Sequence, residues 1–128
     1  MTKNPNSKPY DLEERTYLFA KRCRELAKKL PRTVSNLEDG RQLIRSSGSV
    51  AANYIEANES VSRKDFALRI KIARKEAKES QPWLRLCEAG DDGLQQEQQL
   101  LLAEALELCK IFGSILEKVK SQGGFFRI

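Results

Sequence analysis

The stretch RSSGSVAANYIEAN, Arg45 to Asn58, has the spacing of a helix but is built largely from Ser, Gly, Ala and Asn, where large apolar side chains would be expected. Propensity alone argues against it, since a helix-interior glycine such as Gly48 costs about 1 kcal/mol relative to alanine. Packing supplies a reason. Small side chains let two helix backbones approach closely, and polar groups such as Asn53 can then be satisfied across the gap. In this register Ser47, Gly48 and Ala51 fall on or beside the apolar seam and Ala52 beside the polar flank. Arg41 and Arg45 stand one turn apart on the polar side, with Glu56 and Glu59 further along it. The stretch therefore predicts a closely packed helix bundle in which Arg45, Asn53 and Glu56 act as polar locks.

Working outward, one punctuation recurs four times. Asp11 with Glu14, Ser35 with Glu38, Ser62 with Asp65, and Asp92 with Gln95 each place an N-cap side chain three residues before an acid or amide. Pro31 follows the first segment, Gly90 ends the third, and Gly123 with Gly124 end the fourth, where a left-handed C-cap favours glycine. These marks predict helices over 12–30, 36–58, 63–89 and 93–121 in one unit spanning 11–122, with a loose arm over 1–10 and a Gly-Gly-aromatic tail over 123–128. Short connections between long helices favour an all-α, antiparallel, up-down-up-down four-helix bundle.

Apolar seams support that architecture. The first helix offers Leu12, Thr16, Phe19, Cys23, Leu26 and Leu30; the third offers Phe66, Ile70, Ala73, Ala77, Ser80, Leu84 and Cys87. The second and fourth carry a second row beside the first: Gly40, Leu43, Ser47, Val50, Tyr54 and Ala57 in one, and Leu102, Leu106, Cys109, Gly113 and Leu116 in the other. That surplus reads either as a wide core-facing stripe or as a subunit interface. Pro82 interrupts the third helix, where it removes a hydrogen bond to the carbonyl of Lys78, and predicts a kink that re-aims Trp83.

Composition narrows the functions available. A chain of 128 residues suits one domain, and no window is apolar enough to cross a bilayer or to form a signal-peptide core, so a cytoplasmic protein is expected. Cys23, Cys87 and Cys109 are far apart and form no C-x-x-C pair, which favours buried hydrophobes over a disulfide framework or zinc site. Histidine is absent, removing the usual general base and the Ser-His and Cys-His pairs. Glu76 and Glu79 have the look of a metal carboxylate pair. Without a Glu-x-x-His motif, however, ion pairing with arginines of a neighbouring helix is the better reading, and neither metal nor cofactor is expected.

The charge of +5 is unevenly placed: up to Gly90 there are 19 Lys and Arg against 12 Asp and Glu, and from Asp91 onward 4 against 6. Within the third helix Arg63, Lys64, Lys71, Arg74, Lys75, Lys78 and Arg85 share an arc of roughly 120°, opposite the seam. An ordinary solvated face alternates signs, because like charges four apart repel by a few tenths of a kcal/mol. A polyanion relieves that repulsion, so the face is a candidate for phosphate-dominated, salt-sensitive binding; a merely basic surface is the alternative. The first helix adds Lys21, Arg22, Arg24, Lys28 and Lys29, interrupted by Glu25. No aromatic residue is interleaved with these cations, which argues against base stacking.

Three segments in order, LAKKLPRT, GRQLIRSSGSVAANYIEAN and SRKDFALRIKIARKEAKESQPWLRL, resemble the bacterial four-helix-bundle family named for proteins encoded in intervening sequences of 23S ribosomal RNA genes. The specific parts are R-S-S-x-S-V-x-x-N-Y-x-E at Arg45 to Glu56 and K-E-A-x-E-S-x-x-W-L at Lys75 to Leu84, within a likeness running from Tyr10 to Leu86. Pro82 departs from the family pattern. The resemblance implies an antiparallel bundle assembling into a homopentameric ring, with no established enzymatic activity. It also implies a distant relation to accessory proteins of diversity-generating retroelements, which associate with a reverse transcriptase and bind nucleic acid. The expected function is thus a non-enzymatic homo-oligomer that binds RNA or DNA through the third helix. The alternative is a protein-interaction scaffold, or an accessory subunit of a nucleic-acid enzyme, using the tail residues Phe125, Phe126 and Ile128.

Overall fold

The computed structural model describes residues 11–123, which form α1 (Leu12–Lys29), α2 (Val34–Asn58), α3 (Arg63–Leu86) and α4 (Asp92–Gly123). The expected arm and the aromatic tail residues 124–128 lie outside the described residues. Two caps fall where the sequence places them: Asp11 accepts from the N–H of Glu14 at 3.5 Å, and Ser62 from that of Asp65 at 3.0 Å. The other two fall earlier. Thr33, extended at φ −94° and ψ 163°, caps α2 by accepting from the N–H of Asn36, so Ser35 lies inside the first turn. Asp91 caps α4 by accepting from the N–H of Leu94 at 2.8 Å, which leaves Asp92 as its first residue.

Consecutive helices pack side by side, and α1 and α4 close the ring with the sparsest contacts of the four pairs. Cross-helix bonds fix the antiparallel sense. The start of α1 meets the end of α2 through Glu13 and Asn58, α2 meets α3 through Asn53 and Arg69, and α1 meets α4 in reversed order, Arg15 with Glu104 and Arg22 with Glu97. The seams of α1 and α3 are buried as predicted, apart from a half-buried Phe66. Phe19, Leu26, Leu43, Ile70, Leu84, Leu101, Leu108 and Phe112 form the bulk of the core. Each contributes about 1.5–3 kcal/mol relative to an exposed side chain. The Tyr54 and Phe112 rings meet across that core with centroids 6.1 Å apart.

The surplus rows resolve differently in the two helices. In α2 the row from Gly40 to Ala57 is the core seam itself. In α4 the core takes Leu101, Ala105, Leu108, Phe112 and Leu116, while Leu102, Leu106, Cys109 and Gly113 flank it, half-buried or exposed. One position of helical offset separates the two rows of α4, and only the neighbouring helices decide which turns inward.

Close approach involves the start of the small-residue stretch and the turn before it rather than the whole of it. Ser46 and Ser80 are buried and their hydroxyls lie 2.8 Å apart across α2 and α3, while Ser80 also donates to the carbonyl of Glu76. A Cβ on Gly40 would sit 3.5 Å from that of Ala27, in contact with α1. Gly48, in contrast, faces open space, with no atom within 4 Å of an added Cβ. Its place in the expected close-packing set is therefore corrected: it does not mediate that approach.

Two loops are stitched together at one end of the bundle. The buried amide of Asn36 donates to the carbonyls of Pro31 and Glu88, each at 2.9 Å, and accepts from the N–H of Glu88 at 2.9 Å. From α4, Gln98 donates to the carbonyls of Leu84 and Cys87, and Cys87 turns to φ −59° and ψ 140°. These bonds end α3 at Leu86, three residues short of the expected boundary. Pro82 does not terminate the helix; it is on the exposed side, where the Lys78 carbonyl, to which Pro82 cannot donate, can reach water. The neighbouring Trp83 has a buried Nε1–H with no hydrogen-bond partner among the described residues.

Candidate nucleic-acid interface

Helix α3 presents three kinds of side chain because a helix turns about 100° per residue. The seam enters the core, the flank toward α2 carries acids, and the remaining side carries cations. On the α2 flank, Arg45 reaches Glu76 at 3.4 Å and also Glu79, forming a fork between the helices. Glu76 is mostly buried and Glu79 about one-third exposed, so one guanidinium occupies the two carboxylates that the sequence offers as a metal pair. Asn53 donates to the carbonyl and hydroxyl of Ser49 and accepts from Arg69 at 3.1 Å.

One of the three expected polar locks, Glu56, is not made within the chain. Its side chain, like that of Arg41 on the same polar side, is exposed and has no hydrogen bond or ion pair among the described residues. Arg41 precedes the turn on which Arg45 meets its acids, and Glu56 lies past Asn53, where α2 turns its polar side to solvent. No group of three or more His, Cys, Asp or Glu side chains among the described residues could hold a metal ion.

The seven cations of the third face, Arg63, Lys64, Lys71, Arg74, Lys75, Lys78 and Arg85, are all exposed. Lys64, Lys71, Arg74, Lys75, Lys78 and Arg85 make no side-chain hydrogen bond or ion pair among the described residues. The acids of α3 are elsewhere: Glu76 and Glu79 are held by Arg45, and Asp65 sits in the first turn. Cations of α1 behave differently. Arg22 makes a two-bond fork with Glu97 at 3.0 and 3.1 Å, and Lys28 pairs with Glu25 at 3.4 Å. Arg15, which the sequence gives no reason to single out, makes a tighter fork with Glu104 at 2.7 and 2.9 Å. The hydrogen bonds that Arg15 and Arg22 donate to Glu104 and Glu97 raise the pKa values of the two arginines.

The basic face continues into an open groove of about 870 Å³ between α3 and α4. Arg74 and Lys78 stand on one wall and Lys110 and Lys118 on the other, with Leu106, Cys109 and Gly113 between them. Lys110 and Lys118 are missed by the sequence reading because α4 as a whole is net acidic. Only its register against α3 brings Lys110 and Lys118 to this groove, with Glu117 beside them. At the groove, the Cys109 thiol accepts from the Gln81 amide at 3.4 Å and donates to the Arg74 carbonyl at 3.7 Å. Partial burial raises its pKa, against smaller opposite effects from Gln81, Arg74 and Lys78. Cys23 and Cys87 are buried, and desolvation pushes their thiols up to about 12 and about 11.

Among the described residues no helix is long and apolar enough to cross a membrane. No curated protein matches the chain. A crystal structure of a protein of unknown function from the S23 ribosomal protein family of Bacteroides thetaiotaomicron is similar to it, with 29% identity and a TM-score of 0.70. That likeness covers 82% of this chain and 97% of the other. Residues 9–114 match the family described as 23S rRNA-intervening sequence protein, and with the four-helix arrangement and the shared structure this places the chain in the 23S rRNA-intervening sequence protein family.

Proposed function

We propose that the chain is a non-catalytic, self-associating protein that binds RNA or other nucleic acid through the basic face of α3. One observation carries this reading: six cations on that face are exposed and unpaired, although nearby acids are available to form pairs elsewhere. Phosphates would replace the missing counter-charges and release condensed counterions, giving binding that is largely independent of sequence. Reversing Lys71, Lys75 and Lys78 to Glu together tests the face. Retention on single-stranded RNA is expected to fall by roughly tenfold or more at moderate salt, with the helical circular dichroism unchanged. A folded triple variant that binds as tightly as the parent rules the face out.

Self-association is supported by exposed apolar side chains, which occur on all four helices. Leu37, Ile55, Leu68 and Leu86 are each more than two-fifths exposed, at 43%, 46%, 52% and 56%. Surplus apolar surface of this kind favours coverage by a partner, and the family resemblance makes a second copy, within a pentamer, the natural candidate. The same surface supports the second reading, a scaffold or accessory subunit docked on a nucleic-acid enzyme. The two separate by the mass of the purified chain in solution.

A further inference from the structure

Resting on that reading of α3, we propose that the bound nucleic acid is single-stranded and that its phosphates lie in the groove between α3 and α4, held from the α4 wall by Lys110 and Lys118. The groove has two cations on each wall, with Glu117 the one acid lining it. Neither Lys110 nor Lys118 is ion-paired among the described residues. Glu97 and Glu104 of α4 are taken by Arg22 and Arg15 of α1, while Lys110 and Lys118 line the groove together with Arg74 and Lys78 of α3. With four cations and one acid the lining keeps a net positive charge, which is the arrangement a polyanion completes.

Shape selects the form of the polyanion. Two helices in contact leave only a shallow valley on their outer side, which one strand can follow with both walls in reach, whereas a duplex can only rest on the rim. The floor is low at Gly113, where an added Cβ would meet no atom within 4 Å. Lys110 and Lys118 are separated by about 12 Å at the helical rise, enough to contact different phosphates of one strand. The groove lining includes no aromatic residue. The strand is therefore held by its backbone, with bases outward and little sequence preference.

Cys109 makes the groove observable, since Cys23 and Cys87 are buried and serve as internal standards. The probes are oligouridylate and a uridylate–adenylate duplex of the same length, and the readout is alkylation by N-ethylmaleimide followed at each thiol. Saturating oligouridylate is expected to slow alkylation of Cys109 roughly tenfold by blocking access, and the duplex to leave it nearly unchanged. Gly113→Cys supplies a second thiol on the floor, with the same expectation, should Cys109 react too slowly to follow. Lys110→Glu combined with Lys118→Glu should weaken oligouridylate binding and lower the slope of log K against log salt by about 1.4, at about 0.7 per phosphate contact. If oligouridylate binds through α3 but both floor thiols react at their free rates, or the α4 double variant binds like the parent, the groove assignment is wrong and the α3 reading stands. Equal protection by the duplex overturns the single-strand assignment. Failure of the protein to bind either probe removes the α3 reading, and the groove with it.

Discussion

Gly90 holds φ at +91°, and a Cβ there would meet Cγ of Pro31 at 2.8 Å. Gly90→Ala should therefore lower stability by at least the roughly 1–2 kcal/mol that a side chain costs in the left-handed region, read as the urea midpoint. Gly48 is helical and faces open space, so Gly48→Ala should raise stability by up to about 1 kcal/mol in the same measurement. The two buried thiols add a pH dependence. Burial raises the pKa values of Cys23 and Cys87 above the ordinary thiol value. The folded state thus keeps protons that the unfolded state loses first. Their stabilising contribution is complete below the ordinary thiol pKa and is lost as pH rises toward about 11 and about 12. Unfolding free energy should fall as pH is raised above about 9, and Cys23→Ala should flatten that fall.

At the scale of elements, Asn36 makes the connection between α1 and α2 depend on the connection between α3 and α4. Asn36→Ala leaves the N–H and C=O of Glu88 without their partner, which should cost about 1–3 kcal/mol. Amide exchange should rise at residues 87–91 before it rises in mid-helix. Much at this scale was legible in the sequence. The seams of α1 and α3, the caps at Asp11 and Ser62, and the Arg45 to Asn58 stretch all have local signatures of spacing and residue type. What was not legible depends on the partner helix. Ser35 and Thr33 are both competent caps, and the loop stitched by Asn36 helps to choose between them. The two apolar rows of α4 differ by one residue, and packing chooses between those. Arg15, Lys110 and Lys118 carry no motif, because their meaning comes from what stands opposite them.

For the whole molecule, charge sorting links architecture to the proposed activity. The α1–α4 side neutralises its charges in two arginine forks, the α2–α3 side neutralises its acids on Arg45, and the α3 face with the adjoining groove is left positive. If the exposed apolar side chains pair with further copies, light scattering should give a multiple of the 14.6 kDa chain mass. Leu68→Glu with Leu86→Glu should return that mass to a single chain. Assembly would repeat the basic face and raise a weak affinity by avidity where the copies point the same way. The most direct test of the central claim is the affinity of the intact chain for single-stranded RNA across a salt series. Binding that weakens with salt along a line whose slope corresponds to several phosphate contacts, at about 0.7 each, is the predicted result. Undetectable binding at low salt, or an affinity indifferent to salt, would contradict it.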